Sequence, residues 1–315
     1  IVDSLVGSEM CIRDRKVGGL SLVHALNSSG SIRSEFTITR LSDGAIGERF
    51  LIVGPGAAHN IDLDFLQKAL PKDGSVHLSD KTNQYGVFVL AGPNARSVLQ
   101  KIADADISNQ SFKWLSMQEI PIGFCPKVRA MRVNFVGSLG WELHHPIEYQ
   151  LQLFEALQEA GAEFGIRNVG MRAMDSMRLE KSYRLWGTDL NAENSALEAN
   201  LQRFVKLNKG EFTGRQALIE QQEQGVLNKF CTIEIEADDA DSFGNEPIII
   251  DEKVVGRGTS GGYGHFIHKS LMLGYIESEY ANIGQECQVR LLDKLLPAKI
   301  IAESPYDPEN SALKA

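Results

Sequence analysis

The chain has 315 residues, 43% of them hydrophobic and 23% charged, with 32 basic against 41 acidic residues and a net charge of −9. This is the balance of ordinary folded domains, two or three at typical sizes, and it excludes a disordered or fibrous chain. It also excludes a wide basic footprint for nucleic acid or anionic lipid, while leaving room for a local basic pocket. The longest apolar stretches, such as 87–91 and 248–250, fall far short of the ~20 residues that span a bilayer.

Four cysteines, Cys11, Cys125, Cys231 and Cys287, are scattered with no CxxC pair or mixed Cys/His cluster. In a chain of this length they read as reduced packing residues of a reducing compartment. The opening IVDSLVGSEMCIRDR lacks a basic stretch followed by an apolar core, so it does not read as a signal peptide. It resembles translated sequencing-adapter read-through. Residues 1–15 are therefore set apart as an artefact, and the natural chain is expected to extend further upstream.

From residue 31 the pattern alternates. SIRSEFTITRL places Ile32, Ser34, Phe36 and Ile38 on one face of a strand and Arg33, Glu35, Thr37 and Thr39 on the other. A partner strand over 48–53 follows the turn Ser42-Asp43-Gly44. An amphipathic helix is expected over 62–70, stopped by Pro71, then a buried strand over 86–91 and a helix over 93–102. A strand over 128–135 leads through Gly137-Ser138-Leu139-Gly140 into Trp141-Glu142-Leu143-His144. Helices are expected over 149–159, 169–181 and 196–207. The second carries Met171, Met174 and Met177 on one stripe, most simply core. After a polar, glutamine-rich boundary at 221–228 come strands over 230–236, 247–255, 271–276, 286–292 and 298–302, the spacing of a small sandwich or barrel.

Most motifs have bland explanations. Gly54-Pro55-Gly56 lacks the third glycine of a dinucleotide fingerprint, and proline offers no N–H to a phosphate. GRGTSGGYG at 256–264 lacks the ending of a phosphate loop and reads as a structural barrel loop. Asp238, Asp239 and Asp241 lack the spacing of a calcium loop. His144 and His145 point to opposite faces of a strand, and His265 and His268 have no evident third ligand, so no metal site is expected. Three denser constellations remain: Glu35 beside Arg33 and Thr37, FVGSLGWELH at 135–144, and RLEKSYRLWGTD at 178–189. Each alone reads as a surface ion-pair patch. Together they offer carboxylates for a polar heterocycle edge, aromatic faces for its ring and cations for an anionic tail.

These segments, with LEANLQRFVKLNK, LGYI and the closing Tyr306-Asp307-Pro308, resemble the tetrahydrofolate-binding aminomethyltransferase family, whose best-known member is the glycine cleavage T-protein. EK-x-YR-x-WG-x-D is similar to the folate-binding C-terminal half of FAD-dependent dimethylglycine and sarcosine dehydrogenases. The resemblance runs over about 16–308. It implies an α+β cloverleaf, with two α+β portions over 16–225 forming a folate pocket and a C-terminal β-barrel over 226–315. It assigns the catalytic carboxylate to Glu35 and folate contacts to Phe36, Thr37, Phe135, Glu142, Leu143, His144, Tyr183, Arg184, Trp186 and Arg203. Glu142 would bind the pterin, Phe135 would stack on it and Arg184 would meet the glutamate tail. Five positions depart from the T-protein pattern: Glu35 stands for an aspartate, Phe135 for a tyrosine, Met174 for an arginine, Arg203 for an aromatic and Ala196 for a proline.

The activity so implied is methylene transfer to tetrahydrofolate, forming 5,10-methylenetetrahydrofolate from an N-methylated glycine derivative. FAD would act only through an upstream domain absent from this chain. The alternatives are a T-protein, whose partner would be a lipoyl-carrier protein, a folate-dependent demethylase of sulfur compounds, or a non-catalytic folate-binding module. The expected compartment is the bacterial cytoplasm or the mitochondrial matrix.

Overall fold

The computed structural model describes residues 15–45, 47–208 and 210–315, together with the short strand Leu5–Gly7. Cys11 and most of the stretch set apart at 1–15 lie outside the described residues. Strand β1 (Leu5–Gly7) pairs antiparallel with β2 (Leu20–Leu26), and β3 (Ile32–Gly44) and β4 (Gly47–Val53) extend the sheet in sequence order. The alternation expected in β3 is real: Ile32, Ser34, Phe36 and Ile38 are buried, while Glu35 and Thr37 are half-buried. Strand β2 carries no alternation because six of its seven residues are buried, which hid it from a search for period two.

Helix α1 (His59–Lys68) leads to a second antiparallel sheet. Its strands are β5 (Tyr85–Ala91), β6 (Met117–Ile122), β7 (Cys125–Met131) and β8 (Gly140–Pro146), in the order β5-β8-β7-β6. Helices α2 (Ala95–Ile102) and α3 (Gln150–Gly161) pack together. Val98, Leu99, Leu153 and Leu157 join Trp141, Leu143 and Phe112 in one core. Only one face of β8 enters that core, and the face bearing Glu142 and His144 is left for other use.

Helix α4 (Met171–Glu180) docks on the barrel described next. The methionine stripe is not core: Met171 is 81% exposed and Met174 and Met177 are half-buried. The buried face of α4 is its last turn, Arg178, Leu179 and Glu180. The helix expected over 196–207 does not form beyond a single 3-10 turn, Gln202–Phe204. Asn200 takes φ +54° and donates to the Phe230 carbonyl and to Glu303, while Ala196, Leu197, Ala199 and Leu201 are buried. Tertiary packing overrides the helical spacing here.

Helix α5 (Arg215–Gln224) precedes a closed barrel. Its strands are β9 (Asn228–Ile235), β10 (Pro247–Ile250), β11 (Lys253–Gly264), β12 (Lys269–Glu277), β13 (Glu286–Leu291) and β14 (Lys294–Ile301), in the order β10-β11-β12-β9-β14-β13. A short helix α6 (Ser311–Lys314) follows. The strand expected over 247–255 is split by Asp251 and Glu252, both at positive φ. GRGTSGGYG is not a loop but most of β11. Its glycines permit close approach: a Cβ on Gly261 would stand 2.6 Å from Ser242. No helix among the described residues is long and apolar enough to cross a membrane.

Candidate functional site

Glu35 lies directly opposite His24 in the β2–β3 ladder, and its Oε2 is 2.9 Å from His24 Nε2. The histidine is 1% exposed and the carboxylate 19%. The expected Arg33–Glu35 surface pair gives way to this bond, and the Arg33 guanidinium instead covers the Phe65 ring at 4.6 Å. The His24 and Phe204 rings pack edge-to-face with centroids 5.8 Å apart. Arg203 lies over that same ring at 4.7 Å.

The next contacts are electrostatic and aromatic. Burial pushes the Tyr183 phenol above its ordinary pKa, and the nearby Arg203 charge opposes the shift. Tyr183 stacks on Phe135 with centroids 5.9 Å apart and planes 27° apart. Phe135 sits in a loop rather than on the strand expected over 128–135. Asn134 Oδ1 accepts from the N–H groups of Val136 and Gly137, and its Nδ2 donates to the Ser138 carbonyl. Gly137 takes φ +73°, and a Cβ there would clash with Lys181 Cγ. Only glycine lets this loop close on the chain beside Tyr183. Glu35, His24, Phe204 and Arg203 thus form one run of contacts, and the Arg203 charge acts on the Tyr183 of the Tyr183–Phe135 pair.

Glu142 and His144 form a second group on β8. They share a face by alternation, and His144 Nε2 is 3.2 Å from Glu142 Oε2. Glu142 keeps 25% exposure. Its cross-strand neighbour Val89 is 56% exposed and Val87, opposite His144, is 47% exposed. Glu142 is therefore accessible beside Val87 and Val89, while His144 is buried with Arg129 as its other cross-strand neighbour. A cavity of about 380 Å³ lined by Arg96, Ser97, Gln100, Lys101 and Ser108 includes none of the expected site residues.

Four expected contacts lie elsewhere. Phe36 is 2% exposed in a core with Val23, Ala25 and Ile38, on the face of β3 opposite Glu35. Leu143 is fully buried against α2 and α3, because its neighbours Glu142 and His144 take the other face. Trp186 packs on the cluster of Leu26, Ile32 and Leu197 that also carries Phe204. Arg184 is spent on structure: it grips both carboxylate oxygens of Glu303 at 2.5 and 3.0 Å, donates to the Ser182 and Ala199 carbonyls, and covers the Phe230 ring. It has no reach left for a ligand's tail. Thr37 remains half-buried on the Glu35 face.

The rest of RLEKSYRLWGTD is likewise a junction, not a surface patch. Arg178, 1% exposed, bonds Asp175, the Tyr183 carbonyl and the fully buried Asp189. Asp189 also accepts from the Leu185 N–H and from the Thr259 and Ser260 hydroxyls of β11. Glu180 accepts the N–H groups of Phe266 and Ile267. Lys181 donates to the Tyr306 and Asp307 carbonyls and to Asn310. Two site residues escaped the sequence reading, His24 and Phe204. A mainly apolar run, LSLVHAL, interrupted only by Ser21 and His24 and ending at Asn27-Ser28-Ser29-Gly30, was the available signal for His24. Among the described residues no three His, Cys, Asp or Glu side chains converge as a metal site.

The closed barrel joined to two antiparallel sheets is the aminomethyltransferase fold. The structure of the glycine cleavage system aminomethyltransferase T from Bartonella henselae superposes with a TM-score of 0.80, over 98% of this chain and 85% of that one, at 20% identity. Residues 6–209 match the GCVT N-terminal domain and residues 228–307 the glycine cleavage T-protein C-terminal barrel domain, and the chain belongs to this family. It is 40% identical to mitochondrial dimethylglycine dehydrogenase of Homo sapiens over 91% of its own length, and 31% identical to mitochondrial sarcosine dehydrogenase of Mus musculus over 96%. It spans about a third of each of those relatives, 33% and 34%. The aminomethyltransferase of Desulfitobacterium hafniense (strain Y51) is 32% identical over 89% of this chain and 74% of that protein.

Proposed function

We propose that the chain binds tetrahydrofolate and promotes methylene transfer to it, as the folate-binding part of a dimethylglycine or sarcosine dehydrogenase-type N-demethylating enzyme. Bound tetrahydrofolate supplies the two nitrogens that take up a one-carbon unit, giving 5,10-methylenetetrahydrofolate. The residues suit such a group. Glu142 offers an accessible carboxylate for pterin N–H groups, the Phe135–Tyr183 pair an aromatic face, and Arg203 a cation near that pair.

The observation that carries the reading is the setting of Glu35. One oxygen is held by a buried imidazole, while Oε1 has no hydrogen bond among the described residues. A carboxylate so placed stabilises a cationic iminium and accepts the proton released as the ring closes. The amine oxidation itself belongs to an FAD domain outside this chain, and the N-methylated glycine derivative is the substrate of that step. Greater identity to dimethylglycine dehydrogenase than to the bacterial aminomethyltransferase favours this reading over a T-protein with a lipoyl-carrier partner. Titration calorimetry with tetrahydrofolate tests it: saturable binding is expected, and no saturable heat at millimolar ligand from folded protein refutes it.

A further inference from the structure

The geometry points to His24 as the positioning residue that aims Glu35, acting as a neutral Nε2–H donor and not as a proton relay. The inference rests on Glu35 being the proton acceptor, and it adds a residue and a protonation state to that reading.

His24 is 1% exposed and inside β2, where its neighbours Leu22 and Leu26 are apolar. Its Nδ1 is buried and has no hydrogen-bond partner among the described residues. A leucine would fill such a place without stranding a polar atom, so an imidazole with one nitrogen unpaired is a poor core filler. The one polar contact it makes is the bond to Glu35 at 2.9 Å, and that contact accounts for its presence.

The same contact selects the tautomer. A proton on Nδ1 would be a buried donor without an acceptor, in the neutral ring or in the imidazolium. A proton on Nε2 meets Glu35 Oε2. The favoured state is therefore neutral with Nε2 as donor. Phe204 packs against the ring at 62° and limits its rotation. With Oε2 engaged, Oε1 is the oxygen left for the reacting side, and the carboxylate plane is set by the strand pair. A proton taken by Glu35 cannot pass on through His24, because Nδ1 has nothing to receive it.

The experiment uses the full chain with isotope-labelled histidine. Nitrogen NMR at neutral pH, with the His24 signals assigned by their loss in His24→Gln, is expected to show the neutral Nε2–H tautomer, and Glu35→Gln is expected to move them. A ring protonated on Nδ1, or on both nitrogens, overturns the inference whatever the variants do. Single-turnover formation of methylenetetrahydrofolate from formaldehyde and tetrahydrofolate supplies the second readout. His24→Phe should lose about tenfold or more in rate with folate affinity kept within about threefold. His24→Gln, which retains a donor near the Nε2 position, should recover to within about threefold of the parent. A parent-like rate for His24→Phe, or equal loss in both variants, refutes the positioning role. If Glu35→Gln also turns over at the parent rate, the proton-acceptor reading falls as well. If only Glu35→Gln is impaired, the His24 inference falls alone.

Discussion

Glu142 has one oxygen on His144 and a quarter of its surface open, so it is available to a ligand without being needed by the core. Breaking a charge-assisted contact of this kind costs about 1.5–3 kcal/mol. Glu142→Gln should weaken tetrahydrofolate binding about tenfold or more by calorimetry, with thermal stability nearly unchanged. Arg184 should behave in the opposite way. Arg184→Met removes the fork onto Glu303 and should cost about 2–3 kcal/mol in urea denaturation, short of a fully buried pair because Glu303 is 36% exposed. Folate affinity of the folded variant should stay within a few fold. The pair marks what a sequence conveys at this scale. The faces of Glu35 and Glu142 follow from strand alternation, and their roles from the family resemblance. The engagement of Arg184 by Glu303 was not legible, because that partner lies 119 residues away and nothing local announces it. His24 was invisible until β2 was known to pair with β3.

Among the elements, β3, α2 and α3 were legible because one face of each met water, although β6 escaped notice despite its alternating burial. Elements buried on both sides, such as β2, and turns held by distant partners, such as 196–207, were not. The junction from α4 to β11 belongs to this second kind. Asp189 is fully buried and holds Arg178, the Leu185 N–H and the Ser260 hydroxyl at 2.6–2.8 Å. Asp189→Asn removes the buried one of the two carboxylates that neutralise the Arg178 guanidinium and leaves only the half-exposed Asp175. It should destabilise the protein by about 3–5 kcal/mol, read as a lower urea midpoint. An unchanged midpoint would mean that Asp175, the other carboxylate on Arg178, carries the charge alone.

For the whole molecule, the composition implied reduced packing cysteines, and three of the four are free and buried. Burial pushes the Cys231 thiol up to about 12 and the Cys287 thiol to about 11, and raises Cys125 as well. At pH 8 the thiolate fractions of the first two are then about 10⁻⁴ and 10⁻³. In a Cys11→Ser background a thiol reagent should label the native chain very slowly at these positions, and at the full three-thiol stoichiometry only after denaturation. Rapid native labelling would contradict the packing. The same junction that buries Asp189 also fastens Lys181 to the Tyr306 and Asp307 carbonyls, so the barrel and the sheets should unfold in one calorimetric transition.

The run of contacts around Glu35 draws its members from far apart along the chain, with Phe204 180 positions after His24. The strands of the second sheet, by contrast, all pair within 85–146. Closing long loops is slow, because their entropy is lost before any contact compensates. During refolding, amides of the second sheet, like those of the first, whose strands pair within 5–53, should gain protection from hydrogen exchange first. Competence to bind folate should return only afterwards, when the 202–204 turn meets β2. A chain emerging from the ribosome would therefore hold a finished sheet well before it held a finished site, and ligand binding would report completion of the fold rather than its start.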